Sequence, residues 1–165
     1  MKTPLLFLTF IASVAVAQQP PSLLSEAARF TTIESIMAVV PSTVSLRTDG
    51  KWSVVGVEQA NDAVTSNVKG RAATLRLKVE VFQPFKENGW AYRIMAPDGR
   101  VSLRGTPIFY RIWAYFRADQ ADALAKVRKG STIIVSGVLG RADIQMHGGR
   151  PGLSLDLYEA KVERQ

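Results

Sequence analysis

The chain has 165 residues, 47% hydrophobic and 21% charged, which is typical of a single packed domain and excludes an intrinsically disordered protein. It contains no cysteine, which excludes disulfides, thiolate metal sites, thiol catalysis and a lipid anchor on cysteine, so packing alone must stabilise the fold. The formal net charge of +7 favours an anionic partner such as nucleic acid, a phospholipid surface or an acidic glycan, although the scattered basic residues also fit an ordinary basic surface.

The N-terminus has the pattern of an export signal. A short positive start at Lys2 precedes an apolar run over residues 4–14, and Ala15-Val16-Ala17 then has the small-x-small form of a cleavage site. The run is shorter than the about 20 residues that span a bilayer. We therefore expect residues 1–17 to be a signal peptide, the protein to be exported (periplasmic or secreted), and no transmembrane anchor to remain. The alternative is a buried N-terminal helix.

Residues 18–70 are predicted to form an extension in front of the main domain. Apolar positions near the helical period predict a helix over residues 22–40, ending at Pro41. Asp49-Gly50 tolerates the positive φ of a tight turn and predicts a short hairpin of residues 43–47 and 51–55. A second helix is expected over residues 58–67, with Gly70 after its end.

From residue 71 onward the apolar period changes to two. Leu75 and Leu77 begin an alternation that predicts a first strand, and residues 90–95 follow as a second. A third strand is expected over residues 101–103 and 108–117, interrupted at Gly105-Thr106-Pro107. A helix over residues 119–129 then precedes strands at 132–139 and 153–162, with a loop at 146–152 between them.

This order of three strands, a helix and two strands predicts a mainly β protein with a five-stranded OB-type barrel, over residues 71–165, whose helix lies between strands three and four. The segments that carry a closer resemblance are Tyr115-Phe116-Arg117, residues 123–130 ending in Lys129-Gly130, and residues 133–137 ending in Val135-Ser136-Gly137. They resemble the bacterial OB-fold families related to the tRNA anticodon-binding type, over about residues 71–162. The resemblance implies the fold, and it assigns no catalytic residue.

Catalytic groups are scarce in this sequence. Hydrolysis needs a nucleophile activated by a base, a pair of positioned carboxylates or a metal ion. His147 is the single histidine of the chain and lies in a glycine-rich segment without nearby residues at metal-ligand spacing. We therefore expect no enzyme activity, no cofactor and no metal site.

The third predicted strand provides the candidate binding face. Its alternation sends Ile108, Tyr110, Ile112, Ala114 and Phe116 to the core side and aromatic and basic side chains to the other side, which in OB barrels belongs to the ligand face. Rings can stack on bases or sugars, and arginines can pair with phosphate or carboxylate. The candidate ligand-binding residues are Phe109, Arg111, Trp113, Tyr115 and Arg117 on this strand, Trp90, Tyr92 and Arg93 on the second strand, and Arg141 and Arg150 near the last loop.

The alternative is structural. The N-terminal extension must bury its own apolar side chains, and it could do so by covering Phe109, Trp113 and Tyr115, with the arginines at the rim.

These observations predict a non-enzymatic OB-fold binding or adaptor module of the bacterial envelope or secreted fraction, holding a protein or an anionic glycan. The alternative function is a single-stranded nucleic-acid-binding protein that uses the aromatic and arginine strand. Export favours the first, because nucleic acid is scarce outside the cytoplasm.

Cleavage of the signal can be tested directly. We expect the protein isolated from a bacterial host with an intact secretory pathway to begin at Gln18, because Ala15 and Ala17 occupy the positions that the signal peptidase reads. The intact mass and the N-terminal peptide would show this. A purified protein that retains Met1 to Ala17 would contradict it.

Overall fold

The protein is described here by a computed structural model over residues 29–164, so the predicted signal peptide and residues 22–28 of the first predicted helix lie outside the described residues. The helices are α1 (Ile33–Met37), α2 (Val54–Val68) and α3 (Ala121–Leu124). The strands are β1 (Arg47–Thr48), β2 (Lys51–Trp52), β3 (Ala72–Lys78), β4 (Val81–Pro84), β5 (Tyr92–Met95), β6 (Gly99–Leu103), β7 (Thr106–Phe116), β8 (Thr132–His147) and β9 (Arg150–Arg164). In this part of the chain, every helix is too short or too polar to cross a bilayer.

The main sheet closes into a barrel because β3 and β4 are two halves of one bent strand. β3 pairs with β8 and β4 pairs with β5, in the order β3-β8-β9-β7-β5-β4. At the bend, the Val79 N–H donates to the carbonyl of Ser131 (2.8 Å), and the Glu80 N–H donates to the carbonyl of Met95 (3.0 Å). The β7 and β9 strands pair in parallel and the others antiparallel. This is the Greek-key barrel of the OB fold, which confirms the predicted fold class.

Alternating side chains fill the barrel. Ile108, Ile112, Ala114 and Phe116 on β7 are buried, as the period of two predicts. The inner side chains of β3, β8 and β9 meet them in one continuous core. The half-buried Tyr110 packs at the edge of this core, over Gly99, where any Cβ would lie within 2.1 Å of its ring.

The helix between β7 and β8 is present but much shorter than predicted. Instead of residues 119–129, it consists of a 3-10 turn at residues 118–120 and the four residues of α3. Beyond it, the Arg128 guanidinium donates to the carbonyls of Ala125 (2.6 Å) and Val127 (3.0 Å), and Gly130, at φ +86, donates its N–H to Val79. The helix ends early because the chain must turn to reach the bend between β3 and β4.

Two predicted connections were wrong. The third strand is not one interrupted strand: β6 and β7 form a hairpin, with Arg104 and Gly105 at φ +49 and +80 in the turn. Consecutive positive φ angles suit a tight hairpin turn, and Pro107 lies at the start of β7, opposite Ser102 and before the pairing with β9 begins at Phe109. The predicted loop at residues 146–152 is also mostly strand, because β8 and β9 continue to His147 and from Arg150 around a turn at Gly148-Gly149.

The N-terminal extension has the predicted helix, hairpin and helix, with different bounds. Within the described residues the first helix covers Ile33–Met37, after the capping residue Thr32. The β1–β2 hairpin turns at Asp49 and Gly50, at φ +52 and +74. The second helix starts earlier than predicted, at Val54, because the Ser53 side chain accepts from the Gly56 N–H and caps it.

Helix α2 lies along an edge of β8 that no strand within residues 29–164 covers. Beyond residue 139, β8 pairs with β9 on one side only. On its other side, the Asn61 side-chain oxygen accepts from the Ile144 N–H (2.9 Å), and the Thr65 hydroxyl donates to the Ala142 carbonyl (3.1 Å). Protected in this way, the edge cannot pair with another chain. The extension is thus part of the barrel's structure.

We expect Asn61→Ala to destabilise the protein by about 1–3 kcal/mol, because the Ile144 N–H loses its acceptor in a partly buried position. Urea unfolding would measure the loss. The matched control is Ser66→Ala on the exposed side of α2, for which we expect a change within about 0.5 kcal/mol. Equal stability of the two variants would contradict the bonding role of Asn61.

Candidate functional site

The outer side of strands β5, β7 and β9 forms one surface, which we call the barrel face. Side chains at paired positions point to the same side of a sheet, so Arg93 lies beside Tyr115 and Trp113 lies beside Asp156. On β7, Arg111 is exposed, and Phe109, Trp113 and Tyr115 are half-buried. The alternation that buries Phe116 therefore points these four β7 side chains outward, as the sequence analysis predicts.

Four rings form an aromatic cluster at one end of the barrel face. Phe85 and Trp90 come from the loop between β4 and β5, Tyr115 from β7 and Tyr158 from β9. Tyr115 contacts Phe85, Trp90 and Tyr158 at ring-centroid distances of 5.4, 6.1 and 5.1 Å. Trp90 and Tyr158 are stacked at 5.4 Å. Each ring keeps part of its surface exposed, so together they form an open apolar platform.

Two local features bring Tyr158 into the cluster. Opposite Ser136 and Val138 the register of β8 and β9 shifts, and Glu159 adopts φ +51 in the resulting bulge. The ring of Tyr158 lies over Gly140, where a Cβ would come within 2.0 Å of the ring. Only glycine at residue 140 leaves room for this ring.

Two arginines are stacked on the rings. The Cζ atom of Arg93 lies 4.4 Å from the Phe85 centroid and 4.5 Å from that of Trp113. The Cζ atom of Arg117 lies 4.3 Å from the Trp90 ring. Such cation–π contacts hold the guanidinium planes against the rings, and the N–H groups of Arg117 also donate to the Glu159 carboxylate and the Gly89 carbonyl.

Carboxylates orient three of the predicted arginines. Arg111 pairs with Asp98 at 2.8 Å, Arg117 with Glu159 at 2.6 Å, and Arg141 with Asp143 at 2.8 Å. The hydrogen bonds of Arg111 lower the pKa of Asp98, and those of Arg117 lower the pKa of Glu159. These exposed pairs fix side-chain direction more than they add stability.

Asp156 is the buried acid of the barrel face. It is 8% exposed, next to Trp113, and its pKa is raised by burial against the opposing pull of Arg141. Burial also raises the pKa of Tyr115, with Asp156 as the next cause. Burial at the centre of the face therefore disfavours the charged forms of these two side chains.

The remaining predicted residues lie apart from the cluster. Tyr92 is on the opposite side of β5, paired with Phe116 and packed against the core and Phe82. Phe109 and Arg150 are at the far end of the barrel face. Between that end and the centre runs a groove of about 370 Å³. Its lining is Asp98, Phe109, Tyr110, Arg111, His147, Arg150, Pro151, Gly152, Leu153 and Ser154.

The described part of the extension meets the barrel face at one end only. The rings of Trp113 and Tyr115 contact Arg93 and the aromatic cluster, all residues of the barrel, and stay half-exposed. Helix α2 packs against β8 instead. At the far end, Arg47 and Trp52 of the hairpin approach Phe109. Within residues 29–164, the N-terminal extension therefore approaches Phe109, as the structural alternative predicts, but it leaves Trp113 and Tyr115 uncovered.

Sequence analysis missed Phe85, Tyr158, Arg47 and Trp52. The period of two on β9 contains a signal for Tyr158, since buried Leu153, Leu155 and Leu157 place Ser154, Asp156 and Tyr158 on the outer side. Phe85 lies in a loop without periodicity. The two hairpin residues reach the face through a contact between distant parts of the chain, for which no local pattern exists.

No family model matches the chain, and no curated protein matches it. The tRNA anticodon-binding-type resemblance therefore stays a prediction. Solved structures with a similar fold include a small single-stranded DNA-binding protein from Streptomyces coelicolor, 19% identical with a TM-score of 0.36, which covers 59% of this chain and 96% of its own. Another is the mitochondrial single-stranded DNA-binding protein Rim1 of S. cerevisiae, 16% identical with a TM-score of 0.34, which covers 59% of this chain and 99% of its own. A third is an OB domain from Methanosarcina mazei, 14% identical with a TM-score of 0.26, which covers 59% of this chain and 74% of its own.

We expect Asp156→Asn to raise the melting temperature at pH 7. The folded pKa of Asp156 lies above its ordinary value of 3.8, so ionisation favours the unfolded chain, and stability falls as the pH rises through that range. Asparagine has the shape of aspartate and carries no charge. The gain in melting temperature should disappear below pH 3.8, where the carboxyl is protonated in both the folded and the unfolded protein. Thermal unfolding of both proteins across this range is the measurement, and a lower melting temperature of the variant at pH 7 would contradict it.

Proposed function

We propose that this protein is a non-enzymatic OB-fold protein that binds single-stranded nucleic acid on the barrel face. The observation that carries the proposal is the open aromatic cluster with Arg93 and Arg117 stacked on its rings. Phe85, Trp90, Arg93 and Tyr115 come from β5, β7 and the loop before β5, which correspond to the strands and loop where OB folds bind oligonucleotides. Tyr158 adds a ring from β9.

The rings suit unpaired bases. Stacking of a base on an aromatic side chain contributes about 1–3 kcal/mol and tolerates any base, because every base has a π-face. Trp90, Tyr115 and Tyr158 each keep part of a ring exposed at the cluster, and Trp113 continues the row along β7. A paired duplex could not use these surfaces, because its bases are already stacked.

The arginines suit the backbone of the same strand. A guanidinium binds phosphate oxygens through two parallel hydrogen bonds, and those of Arg93 and Arg117 are held over the faces of the rings. Arg111, Arg117 and Arg141 are already ion-paired, so a phosphate would share them with carboxylates. The net charge of +7 supports attraction of the strand from a distance.

An anionic glycan is the second candidate partner, and a protein partner for an adaptor role also stays a prediction. The observation that favours a glycan is the set of carboxylates beside the arginines and Trp113, namely Asp98, Asp143 and Asp156, whose oxygens can accept hydrogen bonds from sugar hydroxyls. We further propose that the protein acts after export, which rests on the signal pattern of residues 1–17 alone.

Binding of a labelled oligothymidine at two salt concentrations tests the proposed function. We expect affinity to fall steeply as salt rises, because counterions are released from each neutralised phosphate. Trp90→Ala and Tyr158→Ala should each weaken binding by about tenfold or more, the loss of one stacked base. Arg93→Ala should also reduce the salt dependence by about one counterion.

The matched control is Phe82→Ala, an exposed ring on the other side of β4 that packs on Tyr92 and lies outside the barrel face. It should bind like the unaltered protein, with melting temperatures reported for every variant. No oligothymidine binding at low salt would overturn the proposal. Tight binding of a sulfated oligosaccharide in its place would identify the glycan as the partner.

A further inference from the structure

The barrel face ends in a small pocket where the N-terminal hairpin meets the barrel, which we call the arginine pocket. Its volume is about 210 Å³. The residues that line it are Arg47 and Trp52 from the hairpin, Arg100 from β6, Pro107 and Phe109 from β7, and Arg150 from β9.

Three guanidinium groups converge on two rings in this pocket. The Cζ atom of Arg47 lies 4.4 Å from the Trp52 ring centroid. Those of Arg100 and Arg150 lie 5.0 and 5.9 Å from the centroid of Phe109. Within residues 29–164, ion pairs are formed by Arg111, Arg117 and Arg141, and none by the three pocket arginines. Three positive charges that line one small pocket repel one another, so the free pocket favours an anion.

The dimensions and the donors of the pocket select the kind of anion. A volume of about 210 Å³ lies below the range of about 300–1,000 Å³ for pockets that enclose a whole drug-sized ligand, so it suits an end group. Arginine favours phosphate through two parallel hydrogen bonds. A phosphate monoester carries about −1.5 to −2 charges at neutral pH, whereas each phosphate within a strand carries one. Three unpaired arginines therefore favour the monoester.

The pocket is continuous with the barrel face. Phe109 and Arg150 line both the arginine pocket and the neighbouring groove, and Phe109 shares its side of β7 with Trp113 and Tyr115. From Phe109 to Tyr115 the strand rises by about 20 Å. A strand stacked on the aromatic cluster and continuing along β7 would reach the pocket with its end.

We propose that the arginine pocket binds the terminal phosphate of the single strand held on the barrel face. This inference rests on the proposed function and adds that the protein recognises phosphorylated strand ends. Trp52 and Phe109 supply ring surfaces for the last base or sugar, and Arg47, Arg100 and Arg150 bind the monoester.

The first test compares oligothymidines that carry a phosphate at the 5′ end, at the 3′ end, or at neither end, in a buffer free of phosphate. We expect one phosphorylated form to bind about tenfold more tightly, the gain from one charge-assisted contact. Arg100→Ala should remove this preference and leave the affinity for the unphosphorylated strand within about threefold of the original, because Arg100 lines the arginine pocket and not the neighbouring groove. The matched control is Arg76→Ala, an exposed arginine on β3 outside the barrel face, which should keep the preference.

The second test measures tryptophan fluorescence during titration with thymidine monophosphate or with thymidine. We expect the monophosphate to give a saturable change that thymidine does not give at the same concentrations. The change should be lost in Trp52→Phe, whose ring lies in the pocket, and in Arg47→Ala, and inorganic phosphate should compete for it.

The outcomes separate the two proposals. Equal affinity for all three oligothymidines overturns the inference and leaves the proposed function standing. If no oligothymidine binds, the proposed function is overturned, and the fluorescence titration then tests the phosphate site independently. A fluorescence change that requires both the phosphate and Arg47 supports the phosphate site. Equal changes with thymidine monophosphate and thymidine overturn the phosphate site.

Discussion

The structure depends on the bend at Val79 and Glu80, where one strand changes partners. Before the bend the chain pairs with β8, after it with β5, and the N–H groups of both bend residues and the Val79 carbonyl stay hydrogen-bonded. The strand therefore changes partners with these peptide groups still paired. The bend also shortens α3, because the chain after α3 must return to hydrogen-bond with Val79. Closure of the barrel brings β5, β7 and β9 together on one side as the barrel face.

A second constraint comes from the length of the β8–β9 hairpin. β8 continues past the end of its pairing with β3, whereas β9 stays paired with β7 over residues 152–157; the hairpin thus extends the face toward Arg150 and leaves one side of β8 without a strand partner among residues 29–164. Helix α2 occupies that side through Asn61 and Thr65, and its apolar residues join the common core. Because the preceding hairpin is tied to α2, it arrives at the end of the face, beside Phe109. The pocket there is a consequence of covering the edge.

Local patterns predicted the strands and the outer side of β7, because alternation along a strand is a property of adjacent residues alone. They failed where pairing with distant residues decides the outcome. Arg104-Gly105 turns as a hairpin although it lacks the usual asparagine or aspartate, and Gly148-Gly149 continues two strands where a loop was expected. Tyr158 enters the candidate site through a bulge, and Arg47 and Trp52 through a contact across more than fifty residues of sequence. The alternation on β9 signals Tyr158 only as an outward side chain, and the contact of Arg47 and Trp52 has no signal in any short stretch of sequence.

The edge of β8 beyond residue 139 has a consequence for the barrel as a separate unit. Residues 140–147 amount to about 25 Å of strand, and without α2 their outward peptide groups would face water beside a hydrophobic sheet. Such a ribbon is a template for the same ribbon of another molecule. A truncated protein that begins at residue 71 would thus be prone to associate through this strand edge, so the barrel does not form an independent domain without α2.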